Sequence, residues 1–176
     1  SELKRAINTM EIILNVLNVK KTKIIKAIEL NERHYGGLTS LNKDETIEKY
    51  GKKQVYIWRR SFNTSPPALE ENHPYKNKIK SNISSESLKD TFERVIPYYK
   101  KKVEPLIKKN KNILIVFHGN SCRAMLKNIF NISNKKITEL EVPTGNPLLI
   151  KFKDDLKILE YMYLDKTRSK KIFFNF

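Results

Sequence analysis

Asn31-Glu32-Arg33-His34-Tyr35-Gly36-Gly37-Leu38-Thr39 sets a carboxylate, a guanidinium, an imidazole and a phenol beside two glycines. It directly follows residues 23–30, Lys-Ile-Ile-Lys-Ala-Ile-Glu-Leu, a short isoleucine-rich run that reads as a strand ending at Asn31. A second segment, His118-Gly119-Asn120-Ser121, stands at the end of another apolar run, Asn112 to Phe117. That run has the unbroken apolar character of a strand buried in a parallel sheet. In open α/β sheets ligands bind beyond the carboxyl ends of strands. Both segments would therefore face one crevice, and the fold is expected to be α/β.

The rest of the chain supports that alternation. Residues 2–18 carry Leu3, Ala6, Ile7, Met10, Ile13, Leu14 and Leu17 at helical spacing. Asp44 can cap a helix that Gly51 ends, and a further helix is expected over about 52–60. Residues 62–86, with Pro66-Pro67, Pro74 and a Ser/Asn/Lys cluster, read as loop. Ser87-Leu88-Lys89-Asp90 reads as a capping box opening a helix toward Asn110, kinked or restarted by Pro97 and Pro105. A helix is expected over 121–130, a turn at Pro143 to Pro147, and a hairpin of 148–152 with 157–163 across Asp154-Asp155. One domain over residues 1–176 is expected, with a tail from about 165, and a layered sheet of mostly parallel strands.

The net charge of +16 raises the question of nucleic acid, but the lysines are spread along the chain and do not form one stripe. Arginine is used differently. Five of seven arginines (Arg5, Arg33, Arg59, Arg60, Arg123) lie in or next to the segments that carry chemistry. In a lysine-rich chain this points to a small ligand bearing phosphate or carboxylate, which the planar guanidinium grips with two donors. One cysteine, Cys122, excludes a disulfide framework. The longest apolar run is too short to span a bilayer, and no basic-then-apolar leader opens the chain, so a cytoplasmic protein is expected.

Glu32 is a candidate proton donor and acceptor, although taken alone an acid in a loop reads more readily as surface charge. Arg33, Tyr35, Arg59 and Arg60 would clamp anionic oxygens. His118 is followed by a glycine that lets backbone approach a ligand. The N–H groups of Gly119 and Asn120 would open a helix toward a phosphate. His34 reads as a loop residue, His73 as structural or exposed, and Cys122 as packed. No metal-spaced histidine cluster and no Walker-type glycine loop is present.

With those residues in place, the chain resembles the 2,3-bisphosphoglycerate-dependent phosphoglycerate mutases of the histidine phosphatase superfamily. The resemblance runs through Leu3-Lys4-Arg5-Ala6, Leu30 to Leu38, Leu41-Asn42-Lys43, Gln54-Val55 and Ile57 to Phe62. It continues through His73-Pro74, Glu86 to Asp90, His118 to Ser121 and Pro143-Thr144-Gly145, to about residue 163. It implies a layered α/β/α fold and interconversion of 3-phosphoglycerate and 2-phosphoglycerate through a phosphohistidine, primed by 2,3-bisphosphoglycerate without a metal. It implies Glu32 as proton donor and acceptor, with His118 and Arg5 on the transferring phosphoryl group. Arg33, Tyr35, Lys43, Arg59, Arg60, Gly119 and Asn120 would hold substrate, in a homodimer.

The chain departs from the family in three respects: the loop around 75–86 is shorter than usual, the tail Lys170 to Phe176 is short and aromatic, and the nucleophile motif is missing. No Arg-His-Gly occurs, and by the family's order that nucleophile, with the central strand of the sheet, would lie upstream of Ser1. These residues are therefore expected to be inactive alone. A phosphatase of the same superfamily, or a non-catalytic anion-binding remnant, are the alternatives.

Overall fold

A computed structural model describes residues 1–78 and 83–169. The aromatic run Lys170 to Phe176, and residues 79–82 of the 62–86 loop, lie outside the described residues. Helix α1 spans Lys4–Val16 and buries Ala6, with Ile7, Met10, Ile13 and Leu14 half-buried. Leu17, expected on the same face, falls beyond the helix and is exposed. Helix α2 (Lys43–Tyr50) is capped by Asn42, whose side chain accepts from the Asp44 and Glu45 N–H groups. Asp44 is therefore a first-turn acid complementing the helix dipole, not the cap. Gly51 ends α2 at φ +81° and hands directly to α3, Lys52–Arg60.

Helix α4 (Leu88–Tyr98) opens on the expected capping box, with Ser87 and Asp90 each satisfying the other's backbone N–H. It does not break at Pro97. It widens into a π-helical stretch at Tyr99–Val103 and resumes as α5, Glu104–Ile107, with Pro105 in its first turn. Proline tolerates that position because a first-turn N–H has no partner in the helix. Helix α6 (Gly119–Ile129) packs against α4. Leu88, Val95, Ile96 and Tyr99 from one side meet Ala124, Met125 and Leu126 from the other, closed by Ile137 and Leu140. The hairpin β1 (Leu148–Phe152) and β2 (Ile158–Tyr163) is antiparallel and packs on this core, with Tyr161 edge-on to Phe130 at 5.0 Å.

The two expected parallel strands are not formed. Residues 23–27 carry no strand and end in a 3-10 turn, Ile28–Leu30, and residues 112–117 carry no regular element. The sheet among the described residues is the hairpin alone. A strand differs from a helix in that its hydrogen bonds must come from a neighbour. These segments have strand composition but no neighbour supplies a ladder. Ile24, Ile25 and Ile28 are consequently exposed, as are Ile113 and Leu114.

Candidate active site

The loop after residue 28 is shaped by backbone contacts that only glycine permits. Gly36 sits at φ +52°, and a Cβ there would lie 2.1 Å from the Pro67 carbonyl oxygen. Gly37 donates its N–H to that same oxygen at 2.8 Å. The 66–69 strap thus fastens the loop from outside, and His73, through Nε2 near the Gly37 carbonyl at 3.1 Å, adds a structural contact.

Fastened this way, the loop reaches the N-terminus of α6. Glu32 Oε1 accepts from its neighbour Arg33 N–H at 2.8 Å and from the Asn120 N–H at 3.2 Å. The α6 N–H expected to face a phosphate is thus bonded to the Glu32 carboxylate, favourable placement for negative charge at a helix start. Asn120 Nδ2 donates to the Tyr35 hydroxyl at 2.9 Å. Gly119 is exposed, and nothing within 4 Å would meet a side chain there, so the ground before α6 is open.

Against the Tyr35 ring stand two guanidinium groups, Arg33 at 4.5 Å and Arg59 at 5.2 Å from the ring centroid. Arg33 is 2% exposed. Its Nη2 donates to the Trp58 carbonyl, but its Nε and Nη1 have no partner, and neither does the Nε of Arg59. Buried donors are nearly always satisfied in folded proteins. Unsatisfied donors on two adjacent cations are the arrangement an anionic ligand would complete.

His118 lies at the other end of the site. Arg5 Nε donates to its Nδ1 at 3.2 Å, which leaves the ring proton of the neutral imidazole on Nε2, 2.9 Å from Ser1 Oγ. Burial, then the Arg5 charge, pushes the His118 pKa down to about 4. Near neutral pH this histidine is an uncharged hydrogen-bond donor.

Glu32, Arg33, Tyr35, Arg59, His118, Arg5 and Asn120 thus lie together in this structure, with Gly119 at the rim. Arg60 is displaced from the cluster's centre. It pairs with Glu141 at 3.0 Å and, with Val142 and Pro143, lines a shallow cavity of about 270 Å³. Lys43 is exposed at the start of α2 and joins no member of the cluster among the described residues. Cys122 is held as a thiol, its pKa pushed up to about 12 by burial and then by Glu32.

Two further groups were given no role from the sequence, where Arg123 counts only as one of the five clustered arginines. Arg123 is buried and reaches the Asn120 side chain at 3.1 Å, the Arg60 carbonyl at 3.1 Å and the Ile137 carbonyl at 2.6 Å. Burial, then Arg60 and Arg33, lowers its pKa to about 10, so it stays charged. Arg94 pairs with Glu86 beneath the loop. Nothing near Arg94 in sequence marks it, since it lies in the middle of α4 while Glu86 stands before the Ser87 cap.

The family profile described as histidine phosphatase superfamily (branch 1) matches residues 1–164, and the chain belongs to that superfamily. Within it, the chain groups with the 2,3-bisphosphoglycerate-dependent phosphoglycerate mutases. The protein of that name from Buchnera aphidicola subsp. Acyrthosiphon pisum is 46% identical over 93% of this chain and 75% of its own length. Those from Pelagibacter ubique and Treponema denticola are 47% and 46% identical, covering 94% and 93% of this chain and 73% and 70% of theirs. The chain thus spans about three quarters of these relatives. Among solved structures, a mycobacterial glucosyl-3-phosphoglycerate phosphatase matches with a TM-score of 0.63 over 92% of this chain and 72% of its own. At 15% identity that likeness speaks for the fold alone.

Proposed function

We propose that this chain carries the substrate-binding and proton-transfer part of a phosphoglycerate mutase, an isomerase interconverting 3-phosphoglycerate and 2-phosphoglycerate and primed by 2,3-bisphosphoglycerate. The observation that carries the reading is the set of buried, unpartnered nitrogens on Arg33 and Arg59 flanking Tyr35. With Arg60 beside them, they supply donors for the carboxylate and phosphate of a phosphoglycerate, and for the two phosphates of the primer; Lys43, which joins no member of the cluster among the described residues, is assigned to substrate by the family resemblance alone. Preorganised cations suit this chemistry because phosphoryl transfer spreads negative charge over several oxygens.

Glu32 takes the proton from the substrate hydroxyl as the phosphoryl group leaves the nucleophile histidine, and returns it when the other phosphoryl group goes back. Neutral His118 donates its Nε2–H to the transferring group, and Arg5 holds that ring and adds charge. Gly119 and Asn120 offer the start of α6 to phosphate oxygens once the Glu32 carboxylate yields its bond. The nucleophile does not come from these 176 residues, which contain no Arg-His-Gly, so they do not turn over unaided. The reading extends to a single domain over residues 1–176, a homodimer and a cytoplasmic location. These three follow from the family resemblance; no helix among the described residues is long and apolar enough to cross a membrane.

Calorimetric titration with 3-phosphoglycerate tests it. The chain should bind, Arg33→Met and Arg60→Ala should weaken binding strongly, and Arg168→Ala should not. Arg168 pairs with Asp165 and the 144–145 turn and bonds to no member of the Tyr35 cluster among the described residues. Equal effects at all three arginines, or no binding by the parent chain, would overturn the reading.

A further inference from the structure

The loop that carries Glu32 and Arg33 has no sheet to hold it, yet both ends are fixed by one ion pair. Arg94 Nε and Nη2 grip Glu86 Oε1 and Oε2 at 2.7 and 3.0 Å. The same guanidinium donates through Nη1 to the Glu29 carbonyl at 2.6 Å and through Nη2 to the carbonyls of Asn31 and Glu32 at 3.1 and 3.3 Å. Glu86 completes the span from the other side. Its Oε2 accepts the His34 N–H at 2.8 Å, and its own N–H donates to the His34 carbonyl at 2.9 Å. Residues 29–34 are thus pinned before and after Glu32 and Arg33. The pair itself rests on α4, through Arg94 and the Ser87 cap next to Glu86.

We propose that Glu86 and Arg94 are positioning residues that set where the Glu32 carboxylate and the Arg33 guanidinium stand. A buried ion pair is a poor source of net stability, because losing water costs about what the attraction returns. Its worth here is geometric. A guanidinium presents five N–H donors in one plane, enough for a carboxylate and three backbone carbonyls at once. A lysine ammonium in the same place keeps the charge but cannot fix four acceptors in a plane. The carbonyls of residues 29, 31 and 32 lie outside any sheet ladder, so the fork is what gives them direction. Ser121, which donates from Oγ to the Leu30 and Asn31 carbonyls, secures the same stretch from α6.

For the ligand it names, this inference rests on the proposed function, so its test has one reading with ligand and one without. The Asn120 amide proton bonds to Glu32 Oε1, and its NMR shift reports where that carboxylate stands. In isotope-labelled chain, Arg94→Lys and Glu86→Gln should move the Asn120 amide toward its position in Glu32→Ala while the protein stays folded. In the same variants, affinity for 3-phosphoglycerate should fall roughly tenfold to a hundredfold, the scale on which a small misplacement acts. A folded Arg94→Lys or Glu86→Gln with the Asn120 amide unmoved would overturn the inference. A moved amide with full affinity would limit the pair to Glu32 and remove Arg33 from the claim. Failure of the parent chain to bind 3-phosphoglycerate would overturn the proposed function, while the Asn120 amide would still decide the positioning role.

Discussion

The loop at 29–38 and the apolar runs at 23–28 and 112–117 belong in the sequence to the same strand-to-site units, yet they end in opposite states. The loop has no regular strand, but side chains from α4 and α6 and the carbonyl of Pro67 fix it nearly residue by residue. The runs have the composition of strands and no ladder, and they leave Ile24, Ile25, Ile28, Ile113 and Leu114 exposed. The difference lies in where each finds its hydrogen bonds. The site's scaffold is supplied by helices that cap and pack themselves, whereas the runs need a partner strand. A site can therefore be preformed on one side of a sheet that is not assembled.

The strongest way to break this contrast is to loosen the pinned side. Gly36→Ala adds a side chain 2.1 Å from the Pro67 oxygen at a φ of +52°. It should cost more than about 4 kcal/mol, read by urea unfolding, because backbone clash adds to conformational strain. A small loss would mean the strap at 66–69 does not hold the loop.

A smaller effect should come from acid. The His118 pKa is lowered from 6.5 to about 4 in the folded chain, so the unfolded state binds the proton more readily between those values. Stability should be complete above about pH 6.5 and fall as pH drops toward 4, by about 3 kcal/mol, with no further loss from this group below that. His118→Gln should flatten that part of the profile in thermal melts.

Removing the α4 cap with Ser87→Ala should cost about 1 kcal/mol, read by the same denaturation. It should also shift the Asn120 amide slightly, since the cap seats Glu86. The smallest effect belongs to the unpaired side. Ile25→Lys and Leu114→Lys should change stability by less than about 0.5 kcal/mol and reduce self-association in sedimentation, because open apolar edges invite pairing. A large destabilisation at either position would show that the runs are already packed, and would erase the contrast.

What could be read from sequence follows the same division. The capping box at Ser87 and Asp90, the α2–α3 junction at Gly51 and the hairpin across Asp154-Asp155 were legible, because each is specified by residues a few positions apart. The cap of α2 was misplaced by two residues, since Asn42 and Asp44 both suit the role and only geometry chooses. The strands at 23–30 and 112–117 were misread because an apolar, isoleucine-rich composition reports a suitable surface and not the presence of a neighbour. In the site, Glu32, Arg33, Tyr35 and His118 were legible from their setting after apolar runs. Arg94 and Glu86 were not, because 62 residues separate Arg94 from Glu32, and nothing local announces that they meet.

Phosphoryl transfer itself offers the most direct test. The chain is incubated with 2,3-bisphosphoglycerate, alone and joined to the upstream Arg-His-Gly segment that the family resemblance implies, and phosphohistidine is located by mass spectrometry. The account predicts no labelling of the chain alone. It predicts labelling of the added histidine in the joined protein, with mutase turnover that Glu32→Gln abolishes. A phosphoryl group on His118 or His34 of the chain alone would show that the nucleophile lies within these residues, and would contradict it.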